Sequence, residues 1–187
     1  MSGPPGAGKS ALARPLAAEL GFALLAKDRI KETLHDAFGL DGDADFSRRL
    51  GAVSMELLWA LAADAPAAVL EANFWPDHPL HAARVRALGA VTAEVHCSCP
   101  LEECWRRYAE RAASRHPAHD GASVRGQARA AAALRDAAAV PDDFAELFAR
   151  SARPLGLGPV ITADTTRPVD VAALAAELGE LLAAQIA

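Results

Sequence analysis

The chain has 187 residues and a formal net charge of −5; hydrophobic residues make up 52% and charged residues 23%. That length suits one domain, 1–187, with a sizeable core and is too short for two comfortable ones. The acidic balance excludes a general nucleic-acid or anionic-membrane surface, though not a local basic groove, and charges interrupt every apolar stretch that could span a bilayer.

The start, Met-Ser-Gly-Pro-Pro, has no charged leader followed by an apolar stretch, so no signal peptide is expected. Cys97, Cys99 and Cys104 form an odd, local set. Such a set is a poor disulfide framework and suits a reducing cytoplasm. Free thiols on a strand and the helix after it are expected, since no fourth ligand stands at zinc spacing.

In chain order, only Met1 and Ser2 precede the first motif, Gly3-Pro4-Pro5-Gly6-Ala7-Gly8-Lys9-Ser10. It matches the phosphate-binding pattern G-x-x-x-x-G-K-S in full. The glycines let the backbone turn its N–H groups inward as a nest for anionic oxygens. The helix from Lys9 offers its positive end to the same phosphates. Lys9 is expected on the β/γ-phosphates of ATP and the Ser10 hydroxyl on Mg²⁺. The plainer reading is a Gly/Pro-rich turn before a helix. Against it stand the Lys-Ser pair and the amphipathic stripe Leu12, Leu16 and Leu20.

Apolar runs at Phe22 to Ala26, Ala67 to Ala72, Val91 to Cys97 and Val160 to Ala163 read as buried strands. Helical patterns fill the intervals: Lys9 to Leu20, Arg29 to Phe38, Phe46 to Ala63, Leu80 to Leu88, Leu101 to Arg115, Ser123 to Ala139, Asp142 to Arg150 and Val169 to Ile186. In the last of these, Thr166 is the expected cap and Pro168 fits the first turn. The alternation predicts a mostly parallel sheet covered on both faces, a three-layer α/β/α fold, and the phosphate loop at its head makes the expected fold that of P-loop NTPases. A loop of this kind normally follows a strand, and that central strand is missing ahead of Gly3. A misplaced start, a truncation, or a sheet closed without the strand would account for it. The first two are preferred, so an apolar strand encoded before Met1 is expected.

The phosphate loop, its helix and the following Leu24-Leu-Ala-Lys-Asp28-Arg-Ile-Lys resemble a known group. These are the small P-loop kinases related to polynucleotide 5′-kinase, chloramphenicol phosphotransferase, gluconate-type kinases and zeta toxins. The resemblance runs from residue 2 to about 180, but its specific part is the phosphate loop. It implies that Asp28, at the end of the second strand, accepts the proton of an attacking hydroxyl. As a bare residue, Asp28 also suits an N-cap for a helix from Arg29. Where such kinases carry an Asp-x-Thr-Asn type sequence, this chain has Glu71-Ala-Asn73, a departure that leaves the substrate or metal role of both residues open. A carboxylate at a buried strand tip is costly unless paired or metal-linked. Phe74 and Trp75 are either an acceptor-pocket floor or core.

The resemblance further makes a lid of the segment around 101–121. Arg107, Arg111 and Arg115 are four apart, on one side of a helix, where they would close over ATP. The competing reading is a solvated face paired with Glu103 and Glu110. His116, His119 and Asp120 suggest a metal but read better as polar surface or acceptor contacts. Arg167, after the last strand, either stacks on adenine or is a surface residue.

A signalling GTPase would need Asn-Lys-x-Asp, and a motor ATPase a strand ending Asp-Glu; neither is present. The expected activity is transfer of the γ-phosphoryl group of ATP to a hydroxyl of a small-molecule acceptor. Segments around Asp36 to Arg49 and Trp75 to His81 are expected to build the acceptor pocket. A polynucleotide or tRNA 5′-kinase is the alternative, weakened by the acidic balance and sparse aromatics. A non-catalytic nucleotide-binding module is the rival from another class.

Overall fold

Four short strands follow the apolar runs in the computed structural model, which describes residues 1–38, 44–111, 114–119 and 140–186. They are β1 (Ala23–Ala26), β2 (Ala68–Glu71), β3 (Glu94–Ser98) and β4 (Val160–Asp164). β1 pairs in parallel with β2, Ala23 opposite Ala68 through Ala26 opposite Glu71. β3 pairs in parallel with β4, Glu94 opposite Val160 through Ser98 opposite Asp164.

The first two residues join these pairs. The Met1 ammonium donates to the Leu70 carbonyl at 2.7 Å. Ser2 N–H donates to the Val95 carbonyl at 2.9 Å, and the Ser2 carbonyl accepts from Cys97 N–H at 3.0 Å. The position expected for a central strand is therefore held by a two-residue stub. Alongside the stub runs an apolar cavity of about 570 Å³, lined by both flanking strand segments and by Leu16, Phe22, Leu178 and Leu182.

Helices cover both faces. On one, α1 (Lys9–Leu20) and the C-terminal helix α7 (Val171–Ala184) place Leu12, Leu16, Leu174 and Leu178 against Val95 and Cys97. On the other, α3 (Ala44–Asp64) and α4 (Pro79–Ala87) surround Leu58, Trp59, Ala72 and Phe74. Strand alternation divides the layers: Val69 meets Ala13 and Ala17 of α1, while Leu70 packs on the Leu58–Trp59 side. α2 (Lys27–Phe38) follows β1 directly. α5 (Leu101–Glu110) and α6 (Asp142–Ser151) meet through Trp105 and Phe144, ring centres 5.0 Å apart. All three cysteines are free and buried, Cys97 on β3 and Cys104 on α5 as expected, with Cys99 in the link between them.

Several boundaries differ from the sequence reading. α2 begins at Lys27, so Asp28 lies inside the first turn and is not the N-cap. α7 begins at Val171, capped by the Asp170 carboxylate on Ala173 N–H at 3.0 Å. Pro168 therefore precedes the helix, and Thr166 hydrogen-bonds to Asp164 instead of capping it. β3 starts at Glu94, three residues later than Val91. α5 stops at Glu110, well before Arg115. The expected helix Ser123 to Ala139 lies outside the described residues.

Candidate active site

The phosphate loop owes its shape to two glycines that nothing larger can replace. Gly3 has φ of 129°, and a Cβ there would lie 2.5 Å from the Cys97 carbonyl oxygen. Gly6 has φ of 85° and is pressed against the backbone of Cys104 at the start of α5. Thr165, after β4, donates its hydroxyl to Ala7 O at 2.9 Å. The loop is thus fastened to β3, α5 and the β4 turn. Gly8, in the left-handed region, leads into α1 with no side-chain cap, so the free N–H groups of the first turn face the loop.

Lys9 is buried and donates to the Gly3 and Pro4 carbonyls at 2.8 and 2.9 Å. Burial lowers its pKa, opposed by the nearby Glu71 carboxylate. Glu71, at the tip of β2, is itself buried. Burial raises its pKa, while Lys9 and a hydrogen bond from Ser10 act to lower it. The Ser10 hydroxyl and this carboxylate form the oxygen donor set that a hard divalent cation such as Mg²⁺ accepts. Asp28 faces the same cluster. Burial pushes its pKa up, but Lys27, 3.2 Å away, and His119 hold it below the usual value.

Lys9, Ser10, Asp28, Glu71, Asn73, Arg111 and Arg115 all line one cavity of about 340 Å³, with Pro5, Gly6 and Gly8 at its loop side. Of the three lid arginines, Arg107 does not line it. Its guanidinium is taken by Glu103 at 2.6 Å and the Thr165 carbonyl at 3.0 Å, which ties α5 to the β4 turn. Arg111 is the C-terminal cap of α5, and Arg115 lies beyond the helix with its guanidinium 4.4 Å over the Tyr108 ring. The expected three-residue stripe on one helix is therefore divided between a helix, its cap and a turn. Arg167 is exposed, 3.4 Å from Asp164, and does not line the cavity.

Phe74 is core, against Trp59. Trp75 is stacked under Arg150 at 3.9 Å. Neither these two nor the described parts of Asp36 to Arg49 and Trp75 to His81 line the cavity. The side of the cavity facing the loop is lined instead by residues of α2 and of 114–119. Arg29, Glu32, Tyr108 and Ser114 lie there too, unanticipated. Glu32 was legible in principle, because it stands one helical turn after Asp28.

Two tethers hold that turn on α2. His119 Nε2 lies 3.0 Å from Glu32. His116 Nε2 lies 3.0 Å from Asp36, with His35 Nδ1 also 3.6 Å from Asp36. These three ligand atoms lie within 4.8 Å of one another, close enough to suggest a metal. The tautomer argues otherwise. His116 Nδ1 accepts from Ala118 N–H at 3.1 Å, so Nε2 carries the proton and has no lone pair for an ion. Asp120 lies outside the described residues.

A third link is buried: Lys31 donates to Ser47 Oγ at 2.8 Å, and Ser47 donates to Ala118 O at 2.9 Å. Burial, aided by Lys27, pushes Lys31 down to about 8. An unfolded lysine titrates near 10.4, so between those values the unfolded chain holds more protons and stability rises with pH. Below about pH 8 the cost of burying the charge, on the order of 3 kcal/mol, is fully present. Lys31→Met should therefore melt higher than wild type at pH 7, with the gap closing toward pH 10.5. Melting curves of both chains across that range check this; a constant gap would sink it.

The glycine-built loop before α1 and the parallel strand pairs covered by helices on both faces define a P-loop kinase fold of the nucleotide-binding class. A family model described as an AAA domain matches residues 1–134, and the chain belongs to that family. Among solved structures, it is similar to a protein from Chloroflexus aurantiacus designated provisionally as a kinase. Identity is 27%, TM-score 0.77, and coverage 96% of this chain and 95% of that one. A shikimate kinase from Acinetobacter baumannii, in complex with shikimate, shares the fold at 19% identity and TM-score 0.51, covering 98% of this chain and 90% of that one. No curated protein matches. Among the described residues, no helix is long and apolar enough to cross a membrane.

Proposed function

We propose that this protein is an ATP-dependent phosphotransferase acting on a hydroxyl of a small molecule. One observation carries the reading: a phosphate loop and the Asp28 carboxylate line the same small cavity. The similarity to a shikimate kinase is consistent with a small-molecule acceptor. A cavity of about 340 Å³ suits a small acceptor better than a polynucleotide strand.

The loop amides and the start of α1 would hold the phosphates, with Lys9 leaving the Gly3 and Pro4 carbonyls for the β/γ-oxygens. Ser10 and Glu71 would hold Mg²⁺, whose charge neutralises the phosphate oxygens when bound. Asp28 takes the proton of the acceptor hydroxyl as its oxygen bonds to the γ-phosphorus. The bond from that phosphorus to the β–γ bridging oxygen breaks, and ADP leaves with the electron pair. Arg111 and Arg115 face the charge spreading over the transferred group, where guanidinium hydrogen bonds strengthen in the transition state.

Asp28→Asn should keep ATP affinity and lose about 10²–10⁴-fold in turnover, the usual worth of general-base catalysis. ATP titration and ADP release with and without a panel of hydroxylated acceptors make the test. Wild-type turnover in the variant would reduce Asp28 to a structural residue. Binding of ATP with no acceptor-stimulated turnover in the parent chain would favour a non-catalytic nucleotide module.

A further inference from the structure

Asp28 and Glu32 are four residues apart on α2, so their carboxylates rise from the same helix face with Cβ atoms about 5–6 Å apart. Both line the cavity, and His119 lines it beside them. Asp28 Oδ1 is taken by Lys27. Glu32 Oε1 is taken by His119 Nε2. A ring nitrogen facing a carboxylate carries the proton, which leaves His119 Nδ1 with a lone pair. No described residue donates to that nitrogen. The second oxygens of both carboxylates keep accepting capacity as well. This side of the cavity therefore offers a concentration of hydrogen-bond acceptors, and its natural complement is a set of O–H donors.

We propose that Glu32 and His119 form a second hydroxyl-binding point of the acceptor site, and that the acceptor is a compact, uncharged polyhydroxylated molecule. One hydroxyl sits on Asp28 for transfer and another on Glu32 and His119 for orientation. The proposal rests on the phosphotransferase reading above. A phosphate or carboxylate seated on Glu32 and His119 would meet the Asp28 and Glu32 carboxylates of α2 at close range, and like charges oppose it there, although Arg14, Arg29, Arg111 and Arg115 also line the cavity. An aromatic acceptor would find Phe74 and Trp75 packed elsewhere and the Tyr108 ring already under Arg115, and would leave the carboxylates and imidazole desolvated without partners. Sites built to bond a hydroxyl reject analogues lacking it far more strongly than apolar pockets reject a missing methylene.

The test measures ADP release from ATP·Mg²⁺ with four acceptor sets: neutral sugars and cyclitols, their single-deoxy analogues, their phosphorylated counterparts, and aromatic alcohols with one hydroxyl. Turnover is expected with a neutral polyol and lost by about 10²-fold or more in a deoxy analogue. Glu32→Gln should raise KM for that polyol about 10–100-fold with kcat changed little, as for loss of an orienting contact. Asp28→Asn should do the reverse, lowering kcat. Turnover confined to phosphorylated or aromatic acceptors, yet lost in Asp28→Asn, would overturn this inference and leave the phosphotransferase reading standing. Polyol turnover unchanged by Glu32→Gln would overturn it equally. ATP binding without turnover on any set would overturn the phosphotransferase reading, and this inference with it.

Discussion

Lys9→Ala should abolish phosphoryl transfer, a loss of at least about 10³-fold, and weaken ATP binding about 10–100-fold. The binding figure follows from a charged hydrogen bond worth about 1.5–3 kcal/mol. The larger catalytic loss follows because the ammonium meets charge that grows toward the transition state in a site shielded from water. Stability should respond in a different way. The ammonium is buried on two carbonyls, and burial already lowers its pKa. Its removal leaves the Gly3 and Pro4 carbonyls short of a donor but relieves a desolvated charge, two effects of opposite sign. The melting temperature should change little. Calorimetric titration of ATP·Mg²⁺, turnover and a melting curve on both chains separate the cases. Equal affinity and turnover would remove Lys9 from the site, and a collapsed melting temperature would make the loss one of folding.

The phosphate loop was readable because everything it needs is local: glycines at fixed offsets, then Lys9 and Ser10 at the head of a helix. Strands β1, β2 and β4 were readable for a similar reason, since strands buried on both faces are continuous apolar runs. Glu94 shows the limit. It sits inside the run read as a strand, yet its buried carboxylate accepts from the Ser2 hydroxyl and from the N–H groups of Leu155 and Gly156, both at 2.9 Å. Those partners are more than sixty residues downstream or ninety upstream, and no local pattern announces them.

The overlong helix expected to carry the three arginines has a local cause that spacing could not show. Arg107, Arg111 and Arg115 keep a four-residue period, but Ser114 turns both its N–H and its hydroxyl back onto the Arg111 carbonyl, at 3.0 and 3.2 Å. Pro117 also disfavours helical geometry at His116. The α2 side of the cavity was not legible because Glu32 and His119 are 87 positions apart and meet only once the turn at 117–119 docks on α2.

Extending the chain ahead of Met1 by five or six apolar, β-branched residues should raise its melting temperature by about 10 °C and tighten ATP binding. Added residues can ladder with β2 and β3 together, because Met1 and Ser2 already bond to Leu70, Val95 and Cys97. They would enter the apolar cavity of about 570 Å³ between those strands. Each buried apolar side chain contributes about 1.5–3 kcal/mol, and ordering each residue costs about 1–2 kcal/mol, so a few kcal/mol remain. In a chain of this size, each kcal/mol raises the melting temperature about 2–4 °C.

A second contribution comes from the terminal ammonium. Its burial lowers its pKa from the ordinary value of 8.0, with Glu94 opposing. A cation depressed in the folded state costs stability in full below its folded pKa, and the cost fades as pH rises to the unfolded value. Moving that charge away from the sheet should flatten this dependence below pH 8. A Gly/Ser extension of equal length separates the two effects, since it displaces the charge without filling the cavity. The apolar extension should exceed that control at every pH, and its tighter ATP binding should follow from a phosphate loop anchored on both sides. If the control melts as high as the apolar extension, the cavity is not a strand slot, and removal of the buried charge accounts for the whole gain.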